Sequence, residues 1–296
     1  MGKIIRALSA DGSVFCAAIN SRDIVNEIFR IHNTSPVASA ALGRFATIAS
    51  LMGCLMKSKS DRLTLRIKGD GLGGAMTAVA DYLGNVKCYT GNNNVDLPLN
   101  AAGKLDVSGY VGKNGFLAVI KDLGLKEPYA TQTPIVSGEI AEDIAYYYAV
   151  SEQIPTVCAL GVLVDTDWSI KAAGGFLIQL IPPINDKVIS IVEKNVDGMK
   201  SVTDMLSNGI EIEKIAIKGL EGLNAEILDT FTAQYHCDCS RERTMSMLIS
   251  LGEKEIDDLI KKEEETEVCC HFCNKKYLFS YNEMREILYS LREEKI

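Results

Sequence analysis

Leu63-Thr-Leu-Arg-Ile-Lys68, Gly69-Asp-Gly-Leu-Gly-Gly74, Ala75-Met-Thr-Ala-Val-Ala80: in this stretch the chain selects between two fold classes. The central glycines match the dinucleotide-binding pattern letter for letter and follow a run that reads as a strand. A nucleotide loop of that kind must open a helix and cross over to a parallel strand, because the phosphates rest on the helix N-terminus. Only seven residues, Ala75 to Asp81, separate the glycines from the Tyr82-Leu-Gly-Asn85 turn, and they suit a strand better than a helix. The glycines therefore predict a tight hairpin, and the sheet around them is antiparallel.

Working outward, Val86 to Thr90 and Val157 to Val164 read as further strands bounded by Gly, Asn and Asp clusters. Thr34 to Met56 is rich in Ala, Leu and Met with no proline after Pro36, which predicts a buried helix with Gly43 and Gly53 at close contacts. Glu139 to Ser151 reads as a helix ended by Pro155. The sum, from Ile4 to about Ile181, is an α+β domain with a largely antiparallel sheet and packed helices.

Pro182-Pro183 breaks this pattern. Beyond the two prolines lies a series of short helical pieces punctuated by Gly198, Gly209, Gly219 and Gly222. Pieces so short carry little core of their own and should open before the main domain does. Further on, Ser240 can cap a helix with Met245, Leu248 and Ile249 on one face and Gly252 as its stop signal. A second helix places Ile256, Leu259 and Ile260 at the same spacing and runs into Glu263-Glu264-Glu265. Lys275 to Ser280 reads as a strand and Tyr281 to Leu291 as a terminal helix. The expected organisation is an N-terminal α+β core domain over 1–183, a helical linker region over 184–235 and a small C-terminal domain over 236–296.

With 296 residues, 47% of them hydrophobic, the chain can build one substantial core and a smaller second unit. A formal net charge of -8 offers no basic footprint for a phosphate backbone or an anionic membrane, so neither nucleic acid nor a membrane is the expected partner. The N-terminus lacks the apolar stretch of a signal peptide, and runs such as Ile154 to Val164 are too short to span a bilayer, which needs roughly 20 apolar residues. The expected location is the cytoplasm, where thiols are kept reduced and clustered cysteines bind metal or do redox chemistry.

Five of the nine cysteines fall in two short stretches, Gln234-Tyr-His-Cys-Asp-Cys-Ser240 and Glu267-Val-Cys-Cys-His-Phe-Cys273. Cys237-x-Cys239 and Cys270-x-x-Cys273 have the two-pair layout of structural zinc sites, in which four thiolates surround Zn²⁺ at about 2.3 Å. A small domain with so few apolar side chains needs such a staple. His236, His271 and Cys269 lie beside these residues and could substitute as ligands. Spacing favours Cys270 over Cys269, since it alone makes a two-residue gap to Cys273. The spacing leaves open whether the site is purely structural or also redox-active. A thioredoxin-like Cys-x-x-Cys is disfavoured because Cys273 runs into a turn and a strand rather than a helix.

Cys16, Cys54, Cys88 and Cys158 stand singly in apolar runs and read as buried structural thiols. His32 reads as structural, and Tyr146-Tyr-Tyr148 as the packing face of a helix. No Ser/His/Asp or paired-carboxylate arrangement can be argued, so the chain is not expected to be an enzyme.

The Cys-x-Cys, a spacer of about thirty residues and Cys-x-x-Cys at the end of a chain of this length resemble the 33-kDa heat-shock chaperonin family (HslO type) of redox-regulated bacterial molecular chaperones. Ser151-Glu-Gln-Ile-Pro-Thr156 and Gly174-Gly-Phe-Leu-Ile-Gln-Leu-Ile-Pro182 also resemble that family's N-terminal domain. The resemblance carries the family's zinc ligands onto Cys237, Cys239, Cys270 and Cys273. It implies an ATP-independent holdase that is inactive when reduced and zinc-bound. Oxidation would pair Cys237 with Cys239 and Cys270 with Cys273, release zinc, and unfold the C-terminal unit and part of the linker. Unfolding clients would then bind to the exposed apolar surface, with the active form a homodimer. The alternative is a redox-inert zinc-binding regulatory or scaffold protein.

Overall fold

The structure is a computed structural model and describes residues 1–261 and 265–293. The chain divides into two units, Met1–His236 and Cys237–Ile296. Glu263 and Glu264 of the acidic run lie outside the described residues. Among the described residues, no helix is long and apolar enough to cross a membrane.

The first unit begins with β1 (Gly2–Leu8) and β2 (Val14–Asn20), followed by α1 (Arg22–His32) and α2 (Pro36–Gly53). Next come β3 (Arg62–Lys68), β4 (Met76–Asp81), β5 (Val86–Thr90), the short α3 (Val107–Val111), β6 (Phe116–Asp122) and β7 (Tyr129–Pro134). The helix α4 (Ala141–Tyr147) runs into a π-turn over Tyr148–Glu152, and β8 (Thr156–Val164) and β9 (Ile170–Leu180) come after it. Three helices, α5 (Asp186–Asp197), α6 (Val202–Ser207) and α7 (Ile212–Gly219), then lead to β10 (Glu226–Ala233). Two five-stranded antiparallel sheets result, in the orders β10-β1-β2-β9-β8 and β5-β4-β3-β6-β7.

The glycine-rich stretch is the hairpin connection that the alternation of its flanks requires. Leu63 pairs with Ala80 and Ile67 with Met76, antiparallel, across it. Its glycines are there for contact with α3. Gly73 N–H donates to the Tyr110 carbonyl at 2.9 Å, and a Cβ on Gly73 would fall 2.2 Å from the Tyr110 ring. Gly74 turns the chain with φ at +69°.

The core of this unit is built around α2, whose residues are buried on every face except at Pro36 and Arg44. A helix apolar all round must be enclosed, and α2 touches strands of both sheets. Small residues make that possible. A Cβ on Gly43 would lie 2.7 Å from Val25 Cγ1, and one on Gly53 would lie 2.6 Å from the Asp81 carbonyl.

The period of two along β1 and β2 buries both faces of the first sheet. Ile4, Ala17 and Ile19 join the α2 core, whereas Ile5, Ala7, Cys16 and Ala18 face the other way. That second face is covered by α5, α6 and α7 through Val188, Val192, Val202, Met205, Ile212 and Ile215. The short helical pieces read from the sequence thus bury their apolar sides on the sheet. The strand β10 was not legible as one, because Ile227 and Leu228 are exposed on an edge that pairs only with β1.

The second unit contains α8 (Arg241–Leu251), α9 (Glu253–Ile260), the β11 (Thr266–Cys269) and β12 (Lys276–Phe279) hairpin, and α10 (Tyr281–Glu293). Ser240 accepts the Arg243 N–H at the start of α8, the capping that the sequence predicts. The core of this unit is small: Leu248, Ile256, Tyr277, Phe279, Met284, Ile287 and Leu288. Arg241 ties the hairpin to α10, donating to the Leu278 carbonyl at 2.7 Å, pairing with Glu283 and stacking over the Phe279 ring.

Candidate metal centre

Two local structures bring the cysteines together. Cys237-Asp-Cys239 leads directly into the Ser240 cap of α8, and Arg243 on the first turn pairs with Asp238 and donates to its carbonyl at 3.0 Å. Cys270-His-Phe-Cys273 forms the tip of the β11–β12 hairpin. There Asn274 N–H donates to the Cys270 carbonyl at 2.8 Å, and Cys270 N–H donates to the Lys275 carbonyl at 2.9 Å. Asn274 adopts φ of +58°, a conformation that asparagine tolerates better than most residues. The second pair therefore lies in a hairpin turn, not at a helix N-terminus where thioredoxin-like chemistry would need it.

The sulfurs of Cys237, Cys239, Cys270 and Cys273 all lie within 4.8 Å of one another. Cys237 Sγ is 3.7 Å from Cys270 Sγ, and Cys239 Sγ is 3.4 Å from Cys273 Sγ. Four sulfurs bonded tetrahedrally at about 2.3 Å to a common ion are about 3.8 Å apart, so the spacing fits a metal of zinc's size. The four side chains are half-buried. Cys269 is exposed on β11 and outside the cluster, and neither His236 nor His271 joins it. His236 instead donates its backbone N–H to the Val86 carbonyl at 2.9 Å.

The electrostatics of the cluster call for a cation. As thiols alone, burial pushes Cys273 up to about 11, reinforced by Cys239, and burial likewise pushes Cys237 up. Cys239 moves the opposite way: burial opposes ionisation, but hydrogen bonds from Tyr277 and the neighbouring cysteines outweigh it. A bound cation would offset the mutual repulsion of thiolates held this close together.

The chain around the cluster supplies hydrogen-bond donors. The backbone N–H groups of Cys239 and Lys275 favour the ionised form of Cys237 and Cys273 respectively. The Tyr277 hydroxyl donates to Cys239 Sγ at 3.2 Å. Tyr277 was not singled out in the sequence. The alternation of Lys276-Tyr-Leu-Phe279, which puts Tyr277 on the buried side with Phe279, was the available signal.

Of the remaining cysteines, Cys16, Cys54 and Cys88 are buried and Cys158 is partly covered. Burial pushes the Cys16 and Cys54 thiols up to about 12, so both stay protonated and unreactive at neutral pH. His32 is buried on α1, with Nε2 at 3.4 Å from the Tyr235 hydroxyl.

The family model described as Hsp33 protein matches residues 2–280. The chain belongs to the Hsp33 family. A 33 kDa chaperonin of Clostridium botulinum (strain Hall) is 46% identical over 295 residues, covering 99% of each chain. One from Clostridium perfringens (strain SM101) is 47% identical over 287 residues, covering 97% of this chain and 91% of the relative. The crystal structure of the 33 kDa chaperonin (heat shock protein 33 homolog) from Thermotoga maritima superposes with a TM-score of 0.88 at 37% identity. That match covers 98% of this chain and 99% of the other. This Hsp33 chain is thus an Hsp33-type chaperone, with a four-cysteine cluster able to hold a metal ion.

Proposed function

We propose that this chain is a redox-regulated, ATP-independent holdase whose reduced, zinc-bound form is inactive. The observation that carries the proposal is the gathering of four sulfurs, from two segments about thirty residues apart in sequence, beside the small core of the second unit. Cys237, Cys239, Cys270 and Cys273 would hold one zinc ion, which keeps the four sulfurs as thiolates and staples the unit. Structural zinc contributes an apparent ~10–16 kcal/mol in small zinc peptides, more than such a core can replace.

Thiolates, rather than thiols, react with peroxide. In each pair, one sulfur attacks a peroxide oxygen, the O–O bond breaks and a sulfenic acid forms. The second sulfur displaces its oxygen as water. Two thiolates, one peroxide and two protons from water become one disulfide and two waters. Closing Cys237 with Cys239 and Cys270 with Cys273 removes all four ligands, so zinc is released and the C-terminal unit over 236–296 loses its staple. The linker region over 184–235 would loosen next. Its apolar side chains lie on Ile5, Ala7, Cys16, Ala18, Phe176 and Ile178 of the first sheet, and that surface would become available when they leave.

Exposed apolar surface binds unfolding proteins and prevents their aggregation under oxidative and heat stress. The net charge of -8 favours protein clients over nucleic acid or anionic membranes. A homodimer in the cytoplasm is the expected active form. The alternative, a redox-inert zinc scaffold, would keep its metal and helicity in peroxide. Following zinc release with a chromogenic chelator alongside far-ultraviolet circular dichroism separates the two. Parallel loss of zinc and helicity supports the switch, whereas retention of both supports the scaffold.

A further inference from the structure

Within the cluster, Cys237 Sγ faces Cys270 Sγ at 3.7 Å and Cys239 Sγ faces Cys273 Sγ at 3.4 Å. Cys239 Sγ also accepts a hydrogen bond from a side chain outside the cluster, the Tyr277 hydroxyl at 3.2 Å. Tyr277 is only 6% exposed, is held on β12 opposite Val268 of β11, and packs with Phe279 in the core of the second unit. Cys239 packs against the same core. The tyrosine ring is further fixed by the Lys275 ammonium, 5.1 Å from its centroid.

We propose that Tyr277 is a positioning residue that restrains the Cys239 sulfur from oxidant and so sets how much peroxide the switch requires. The inference rests on the redox-switch reading above. When a sulfur attacks hydrogen peroxide, its lone pair forms an S–O bond and the O–O bond breaks. The departing hydroxide takes a proton to become water. The partner sulfur then forms the S–S bond, and the sulfenic oxygen leaves as a second water. The sulfurs are oxidised and the peroxide is reduced. A hydroxyl donating to Cys239 engages the lone pair that must attack and withdraws electron density from it, which slows the first step.

The same bond links the chemistry to the fold. A disulfide sulfur accepts hydrogen bonds poorly, so oxidation of Cys239 leaves the Tyr277 hydroxyl buried beside a much weaker partner. The disturbance is delivered to the residues that hold the small core together, Phe279 and its neighbours.

The test uses full-length protein, with Tyr277→Phe removing the hydroxyl and Val268→Ala loosening the same hairpin while keeping it. With cobalt(II) in place of zinc, Tyr277→Phe should move the sulfur-to-metal charge-transfer band to lower energy, and Val268→Ala should not. In the zinc form, timed peroxide treatment followed by alkylation and mass spectrometry should show Cys239 oxidised about three- to tenfold faster in Tyr277→Phe, the range expected for one hydrogen bond. Val268→Ala should show no preference for Cys239. An unchanged band, a wild-type rate at Cys239, or the same selective acceleration in Val268→Ala would overturn the role of Tyr277. A wild-type protein that keeps zinc in peroxide would overturn the redox reading itself and the role with it.

Discussion

The sulfurs of Cys237 and Cys270 lie 3.7 Å apart although 33 positions separate them in the chain. Closing a loop of that length costs entropy, and neither the extended segment before α8 nor the two-stranded hairpin is stable alone. Under the proposed zinc staple, the ion that joins these two segments also supports the small core beside them.

Metal removal is therefore expected to unfold the second unit selectively. Stripping the reduced protein with a strong chelator should abolish hydrogen-exchange protection over Thr266–Cys269 and Lys276–Phe279. Protection should persist in β1, β2 and β9, whose core lies within the first unit. Cys270→Ser should give the same pattern without a chelator, with zinc content well below one per chain.

Ile215 on α7 is 1% exposed and packs on the outer face of the first sheet. Ile215→Ala should destabilise the first unit by about 2–5 kcal/mol in urea titration. Because it weakens the cover over the apolar sheet face, it should also bring client binding to lower temperature or shorter peroxide exposure. Unchanged activation in a clearly destabilised variant would place the client surface elsewhere.

The thiols divide sharply by accessibility. Brief iodoacetamide treatment of the reduced, zinc-loaded protein at neutral pH should modify exposed Cys269 and spare Cys16, Cys54 and Cys88, which are buried in the first unit. Peptide mass spectrometry after digestion reads this directly.

Glu152 in the π-turn gives the first unit a defined response to acid. Burial opposes its ionisation, but hydrogen bonds from Lys121 at 2.7 Å and from the Tyr147 hydroxyl outweigh it and hold its carboxyl below the usual 4.5. A carboxylate depressed on folding stabilises the native state above its unfolded value, and that contribution is lost as pH falls through the folded one. The stability gap between the wild type and Glu152→Gln should thus be constant above about pH 5 and shrink below about pH 4.5. A gap independent of pH would assign Glu152 a packing role only.

Much of this fold was legible because its local signals agree. The strands over 63–68, 75–80 and 86–90 appear within a residue of their expected bounds, and the buried helix around Gly43 within three. The strands β1, β2, β6 and β9 were not read individually, whereas two further strands escaped notice for physical reasons. In β7, Tyr129–Pro134, four of six positions are exposed and only Thr133 is buried, and β10 exposes Ile227 and Leu228 on an edge, so neither displays a clean alternation. The four clustered cysteines were visible from spacing alone. The Tyr277 donor was not, since a tyrosine in an alternating strand looks like any core residue until the fold places its hydroxyl on a sulfur.

The central claim is tested most directly by light scattering from a chemically unfolded client diluted into buffer. This protein would be supplied either reduced and zinc-loaded or pre-oxidised with peroxide at a warm temperature. Suppression of scattering by the oxidised form alone, near one chaperone per client, is the expected result. Equal suppression by both forms, or none by either, would contradict the account and return the four cysteines to a purely structural role.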